Sequence, residues 1–184
     1  YCNALVTAGL EDAQVTVVGP FGISGTSALV GAMKAYSVMT GKDISESTMD
    51  AATDELVTTA ELADTIGDSE KVEQLVAAVK QKVFSDNLTT RDDIKDAINA
   101  SANALDLNLS EDDVNKITDM MEKVSKVDVD VDAIKEQAKD IYNKLKDSGI
   151  DFSKVDTEGL TEKVGGFFSN IFNAVKDFFS GLFG

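Results

Sequence analysis

The sequence lacks the side chains on which most catalytic sites depend. Its 184 residues contain no histidine, no tryptophan and one cysteine, Cys2. Without histidine or a second cysteine, the chain cannot assemble a Ser-His or Cys-His nucleophile, and a zinc site would have to rely on carboxylates. Aromatic residues make up only 7% of the chain, which disfavours a glycosidase cleft built from paired carboxylates and aromatic walls. We therefore expect no enzymatic activity, no cofactor and no small-molecule substrate.

Positive charge is also scarce. Lysine and arginine total 17 against 33 aspartate and glutamate residues, which gives a formal net charge of -16. Such a chain repels the phosphates of nucleic acids and of anionic lipids, so we exclude DNA and RNA as partners. Cys2 lies at the end of the chain and cannot form an internal disulfide, so it does not indicate a redox compartment. No signal peptide is visible, and a start at Tyr1 instead of methionine suggests a trimmed boundary.

One acidic run resembles the beginning of a calcium-binding loop. Asp128, Asp130 and Asp132 occupy alternate positions, as carboxylates do at the start of an EF-hand loop, which then requires glycine at position six and glutamate at position twelve. Counted from Asp128, those two positions hold Ala133 and Lys139. We therefore predict no metal site. We interpret the run as a connector whose valines enter the core, with Asp130 or Asp132 capping the next helix.

One stretch predicts a β-strand. The run from Gln14 to Val18 contains the β-branched residues Val15, Val17 and Val18 and is followed by Gly19 and Pro20, the only proline. A single strand cannot satisfy its own backbone groups, and no second segment has a clear strand pattern. The partner strand must therefore come from a missing N-terminal region, another copy or a different protein. The three valines are candidate partner-binding residues.

The glycine-rich turn from Gly19 to Thr26 leads into a helix. Its spacing fits neither the dinucleotide-binding nor the P-loop pattern, and no lysine follows until Lys34. We predict a tight connection without nucleotide binding, in which Ser24 or Thr26 caps the helix.

Most of the remaining chain shows helical spacing of apolar residues. A short helix ends at Gly9, a second ends at Gly41 and a third, opened by Ser45 or Ser47, ends at Gly67. One side of the second helix carries its larger apolar residues, with Val38 at the margin of that side. These residues are Leu29, Val30, Met33, Tyr36 and Val38. The first two predicted helices span residues 3–8 and 27–39, and the third ends at Ile66. A fourth is capped by Asp68, a fifth starts within the run from Asn87 to Ile94, and the last two span residues 111–126 and 133–146.

The helix that Asp68 caps has a clear inner and outer face. Its apolar residues recur at helical spacing and are predicted to face the core. These residues are Val72, Leu75, Val76, Val79 and Val83. The lysines at positions 71, 80 and 82 are predicted to face solvent.

The C-terminal segment contains six of the nine phenylalanines. Its apolar residues fall within one arc when plotted as a helix, so residues 167–183 predict an amphipathic helix. Candidate partner-binding residues here are Phe167, Phe168, Phe172, Phe178, Phe179 and Phe183. The segment is too short and polar to span a bilayer. It either docks on protein or lies in a membrane interface, and the missing basic face favours protein.

The fold class predicted from these patterns is mainly α. We expect a helical bundle with one short β-strand unit near the N-terminus and a C-terminal amphipathic helix. Residues 1–150 form the predicted helical domain, and residues 151–184 form a linker and the amphipathic helix.

Four stretches of the sequence match a known family. They are Asn3–Gly9, Val17–Leu29, Glu55–Thr58 and Asn87–Thr89. These stretches resemble the YpuA-like secreted proteins of Firmicutes, which are catalogued as a domain of unknown function. The resemblance extends to Lys146. This chain departs from the family in two respects, since Gly22 stands where a second proline is expected and a further N-terminal region with strands is absent.

The resemblance implies export from a Gram-positive cell and no enzyme activity. It also implies a partner, since some gut-commensal members are associated with binding antibody variable domains. The resulting hypothesis is a secreted or surface-attached, non-enzymatic protein that binds host immunoglobulin Fab regions in a superantigen-like way. The alternative is a cell-envelope protein that contacts the membrane through its C-terminal amphipathic helix.

Overall fold

The computed structural model describes residues 1–10, 13–130 and 133–134. Helices are the regular secondary structure of these residues, which confirms the mainly α class. All of them fall within one compact unit, residues 1–144. The described helices are α1 (Cys2–Thr7), α2 (Gly25–Thr40), α3 (Glu46–Ile66), α4 (Ser69–Ser85), α5 (Arg91–Ala104) and α6 (Glu111–Val124).

Two predictions fall largely or wholly on other residues. The predicted helix over 133–146 has only its first two residues among those described, and both are helical. The amphipathic C-terminal segment lies wholly outside the described residues. The division into domains at residue 150 therefore stays a prediction.

Local chemistry sets the ends of the five longer helices. Each begins after a residue whose side chain accepts a hydrogen bond from the backbone N–H three positions later, which satisfies a donor that the helix leaves free. These capping residues are Ser24, Ser45, Asp68, Thr90 and Ser110. Helices α2 and α3 end at Gly41 and Gly67, which adopt φ angles of 70° and 80°, a left-handed conformation that glycine adopts without steric cost. The predicted caps at Ser24, Ser45 and Asp68 and the predicted glycine stops are confirmed.

The predicted strand is wrong. Residues 13–24 form no regular secondary structure, and Val15, Val17 and Val18 are 40%, 46% and 87% exposed. The β-branched side chains favour a pleated conformation, but a strand forms only when its backbone groups pair with a neighbouring strand. Among the described residues no other segment forms a strand. The run therefore remains an exposed loop between α1 and α2.

Helix α3 lies at the centre of the described bundle, where it contacts α1, α2, α4 and α6, while α4 also packs against α5. The apolar face predicted for α4 is buried, which confirms that prediction.

In the run after α6, Val129 and Ile134 are buried, and the side chain of Asp130 accepts a hydrogen bond from the N–H of Ala133 at 3.0 Å. The acidic run after α6 is therefore a connector with a buried valine and a capping aspartate. In the described part of the chain, no helix is long and apolar enough to cross a membrane.

Two side chains lie opposite to their predicted positions. Val38 was expected on the packed side of α2 but is 85% exposed, because it lies in the last turn of the helix beyond the buried positions. Lys80 was expected on the outer face of α4 but has no exposure. The reason for the burial of Lys80 is a set of polar partners that are distant in sequence.

Candidate functional site

The loop of residues 13–23, called here segment 13–23, is an uncharged apolar surface on an acidic protein. Every one of its residues is exposed. It carries five large exposed apolar side chains, Val15, Val17, Val18, Phe21 and Ile23. No charged residue occurs from Ala13 to Met33, although the chain has a net charge of -16. Exposed apolar surface of this kind marks sites of interaction with other molecules.

The backbone of segment 13–23 is unpaired as well. Within the part of the chain that the structure describes, none of its N–H or C=O groups makes a hydrogen bond. Backbone polar groups require a partner, and exposed ones take it from water. These donors and acceptors are therefore available to another chain.

Both ends of segment 13–23 are fixed to the helical body. Leu10, just before it, is buried in an apolar cluster with Leu29 and Met33 of α2. At the other end, the hydroxyl of Tyr1 donates a hydrogen bond to the carbonyl of Gly25 at 3.1 Å. A Cβ atom at Gly25 would lie only 3.0 Å from that hydroxyl oxygen, so a larger residue there would displace the hydroxyl of Tyr1. The loop is therefore exposed between two fixed points.

Helix α1, which precedes the segment in the chain, is attached to the bundle by a buried polar cluster. The Nζ atom of Lys80 donates to Oε1 of Glu55 at 2.9 Å, to the carbonyl of Asn3 at 2.7 Å and to Oγ1 of Thr7 at 3.1 Å. Thr7 Oγ1 donates in turn to Oε2 of Glu55 at 2.5 Å. The side chains of Thr7, Glu55 and Lys80 have no exposure. The cluster joins α1, α3 and α4.

This cluster has no spare capacity for chemistry. A lysine ammonium group has three protons to donate, and here they are directed at three oxygen atoms. A substrate cannot reach side chains that have no exposed surface. We conclude that the cluster positions α1.

The positions of the sequence Asn-Ala-Leu-Val-Thr-Ala-Gly follow from this attachment. The side-chain amide of Asn3 donates to the carbonyl of Glu73 at 3.0 Å. Ala4 and Ala8 are buried against α2 and α3. Thr7 makes hydrogen bonds to both members of the ion pair, Glu55 and Lys80. Gly9 adopts a φ of 77° after the helix ends. Each of these small or polar residues thus has a specific structural role.

Ion pairs at the surface tie the later helices together. Arg91 of α5 binds Asp119 of α6 at 2.7 Å and also contacts Glu122. The hydrogen bond that Arg91 donates to Asp119 is the main cause of the raised pKa of Arg91. Likewise, Asp112 raises the pKa of Lys116 one helical turn later, chiefly through a hydrogen bond. In the described residues, no three His, Cys, Asp or Glu side chains are grouped so that they could hold a metal ion.

One of the two predicted sets of partner-binding residues lies among the residues that the structure describes. Val15, Val17 and Val18 are exposed on segment 13–23, which also carries the exposed side chains of Phe21 and Ile23, two residues that the strand pattern did not single out. A count of apolar residues between the two glycine-bounded helices would have found them. The six predicted phenylalanines from Phe167 to Phe183 lie outside the described residues.

The sequence comparisons place the chain in a family. A family described as a protein of unknown function (DUF1002) matches residues 1–141. The chain belongs to the DUF1002 family. It is 35% identical over 181 residues to the uncharacterized protein YpuA of Bacillus subtilis (strain 168). The alignment covers 97% of this chain and 61% of YpuA, so the chain spans less than two thirds of that relative. No solved structure matches significantly.

Membership of DUF1002 confirms the resemblance seen in the sequence. The family description assigns no function. A function for this DUF1002 chain must therefore be argued from its own surface.

Proposed function

We propose that this DUF1002 chain is a non-enzymatic binding protein that holds a partner protein through segment 13–23. The observation that carries the proposal is the combination of apolar side chains and an unpaired backbone in one fixed loop. An ordinary connecting loop is polar and carries few large apolar groups. The buried cluster around Lys80 supports the proposal because it anchors the helix from which the loop departs.

The chemistry of the surface favours a protein as the partner. A nucleic acid needs basic residues to neutralise its phosphates, whereas this chain has an excess of 16 negative charges and a segment without any charge. Apolar side chains and free amide groups are instead what one protein offers another.

The partner that we propose is the immunoglobulin variable domain, bound outside the cell by a secreted or surface-attached protein. The resemblance to the YpuA-like proteins, and not any single residue, supports this choice. Variable domains are β-sandwiches with framework surfaces outside their antigen loops. Binding to the framework would be independent of antigen, as in a superantigen.

A panel of Fab fragments that spans the heavy-chain framework classes tests both parts of the proposal. We expect saturable binding to Fabs that share one framework class, whatever their antigens. A variant in which serine replaces Val15, Val17 and Val18 should lose most of this binding. The control carries serine at Val38 and Met39, which are apolar residues at the far end of α2 and are at least as exposed as Val15 and Val17.

Two outcomes would contradict the proposal. If no Fab binds at micromolar concentration, the immunoglobulin partner is wrong. If a Fab binds and the triple valine variant binds equally well, segment 13–23 is not the site.

A second function is proposed from the sequence pattern of residues 167–183. Their amphipathic arrangement is compatible with contact between the chain and the surface of a cell-envelope membrane. A vesicle experiment described in the Discussion separates this function from protein binding.

A further inference from the structure

We propose that residues 13–18 bind their partner as an added β-strand at an exposed edge of a β-sheet that the partner already contains. This inference rests on the proposed function, since it specifies how segment 13–23 holds a protein. Strand addition obtains affinity from backbone hydrogen bonds and specificity from alternate side chains. Both features are present in the segment.

The backbone of residues 13–18 is available for pairing. Residues 13–18 combine β-branched valines and a threonine with backbone groups that make no hydrogen bond in the described structure. A run with strand propensity and no ladder can form one when a neighbour supplies it. Pro20 has no N–H to donate, so the added strand ends at Val18 or Gly19.

A second copy of this chain is a poor source of the neighbouring strand. A ribbon of only two short strands is marginally stable in water, so pairing between two copies of this chain would be weak. Two copies would also bring two charges of -16 together. The partner must therefore contribute a sheet that is already formed.

The acidic charge of this chain favours a partner with a basic sheet edge. Natural proteins often protect exposed sheet edges with lysine residues. The segment itself carries no charge, so it places no charged side chain in the new ladder, while the acidic remainder of the chain attracts a lysine-bearing edge. A β-sandwich such as an immunoglobulin variable domain consists of two antiparallel sheets, whose outer strands are such edges.

Proline substitution within the segment separates backbone pairing from side-chain contact. Thr16→Pro and Val17→Pro remove adjacent N–H groups, which point to opposite sides of a strand. Thr16→Ala and Val17→Ala are the matched controls because they shorten the side chain and keep the N–H. Both positions are exposed and lie outside the helices, so thermal unfolding of the four variants should be unchanged and any loss of binding is local.

The experiment measures the affinity of the full chain and the four variants for the Fab panel, together with amide hydrogen exchange of residues 14–18. We expect at least one proline variant to bind about tenfold more weakly than its alanine control, since a lost backbone hydrogen bond has roughly that effect. We also expect the amides of the segment to exchange rapidly in the free chain and to become protected in the Fab complex.

The possible failures are distinguishable. A Fab that binds without protecting residues 14–18, or with equal affinity for each proline variant and its alanine control, overturns strand addition and leaves the binding function intact. The absence of any binding Fab overturns the immunoglobulin partner, and strand addition to it falls as well.

Discussion

The Nζ atom of Lys80 lies 2.9 Å from Oε1 of Glu55, and neither side chain has any exposure to solvent. Removing two charges from water is costly, and their attraction offsets that cost only when further hydrogen bonds satisfy both groups. Thr7 and the carbonyl of Asn3 supply those hydrogen bonds. The pair therefore depends on α1, and α1 in turn depends on the pair for its position.

Breaking the pair from one side should destabilise the protein strongly. Glu55→Gln leaves the ammonium group of Lys80 buried without a counter-charge, and Lys80→Met does the same to the carboxylate. Each should lower the free energy of unfolding by about 3–5 kcal/mol, as measured by denaturation in urea. Replacing both residues, with Glu55→Leu and Lys80→Met, should recover most of the loss because no buried charge remains. A double variant that is as unstable as the sum of the two single variants would contradict this account.

Thr7 should contribute through its hydroxyl group. Thr7→Val keeps the shape of the side chain but leaves Glu55 and Lys80 each without one partner, so we expect a loss of about 1–3 kcal/mol in the free energy of unfolding. Thr7→Ser retains the hydroxyl and serves as the control. A serine variant that is less stable than the valine variant would show that packing of the methyl group, and not hydrogen bonding, is the main role of Thr7.

The surface pairs of Arg91 should depend on salt. Its bonds to Asp119 and Glu122 join α5 to α6, but the guanidinium group is exposed, and salt screens exposed charges. Arg91→Ala should therefore lower the melting temperature at low ionic strength and have little effect near 1 M salt, where the screening length is about 3 Å. Arg91→Lys should give an intermediate result, since lysine cannot bind two carboxylates with a planar fork. An effect of equal size at both salt concentrations would mean that Arg91 acts mainly through packing.

Residues 167–184 should be dispensable for the helical body. Gly165 and Gly166 separate them from the preceding chain, so their deletion should leave the helix content of the remainder unchanged by circular dichroism. Loss of cooperative unfolding in the truncated chain would show instead that the segment is part of the core.

Neutral lipid vesicles distinguish the two roles proposed for the same segment. Its polar face has one lysine and one aspartate, Lys176 and Asp177, and therefore no net attraction to a membrane surface. We expect neither the intact nor the truncated chain to float with the vesicles. Flotation of the intact chain alone would favour the membrane function over protein docking.

The sequence by itself determined where the helices begin and end. Ser24, Ser45, Asp68 and Ser110 cap helices because a short polar side chain reaches an N–H three residues away, which is a local interaction. Gly41 and Gly67 end helices for an equally local reason. Helical spacing also identified the buried face of α4.

Only the tertiary structure decided the fate of the valine run and of Lys80. The partners of Lys80 lie 25 residues away at Glu55 and 77 residues away at Asn3, so no pattern within α4 could show that this lysine is buried. A strand likewise requires a neighbour, and propensity describes only the strand itself. Helix ends depend on local hydrogen bonds, so they could be predicted from the sequence. Buried charges and strands depend on contacts between distant segments, so the burial of Lys80 and the conformation of the valine run could not.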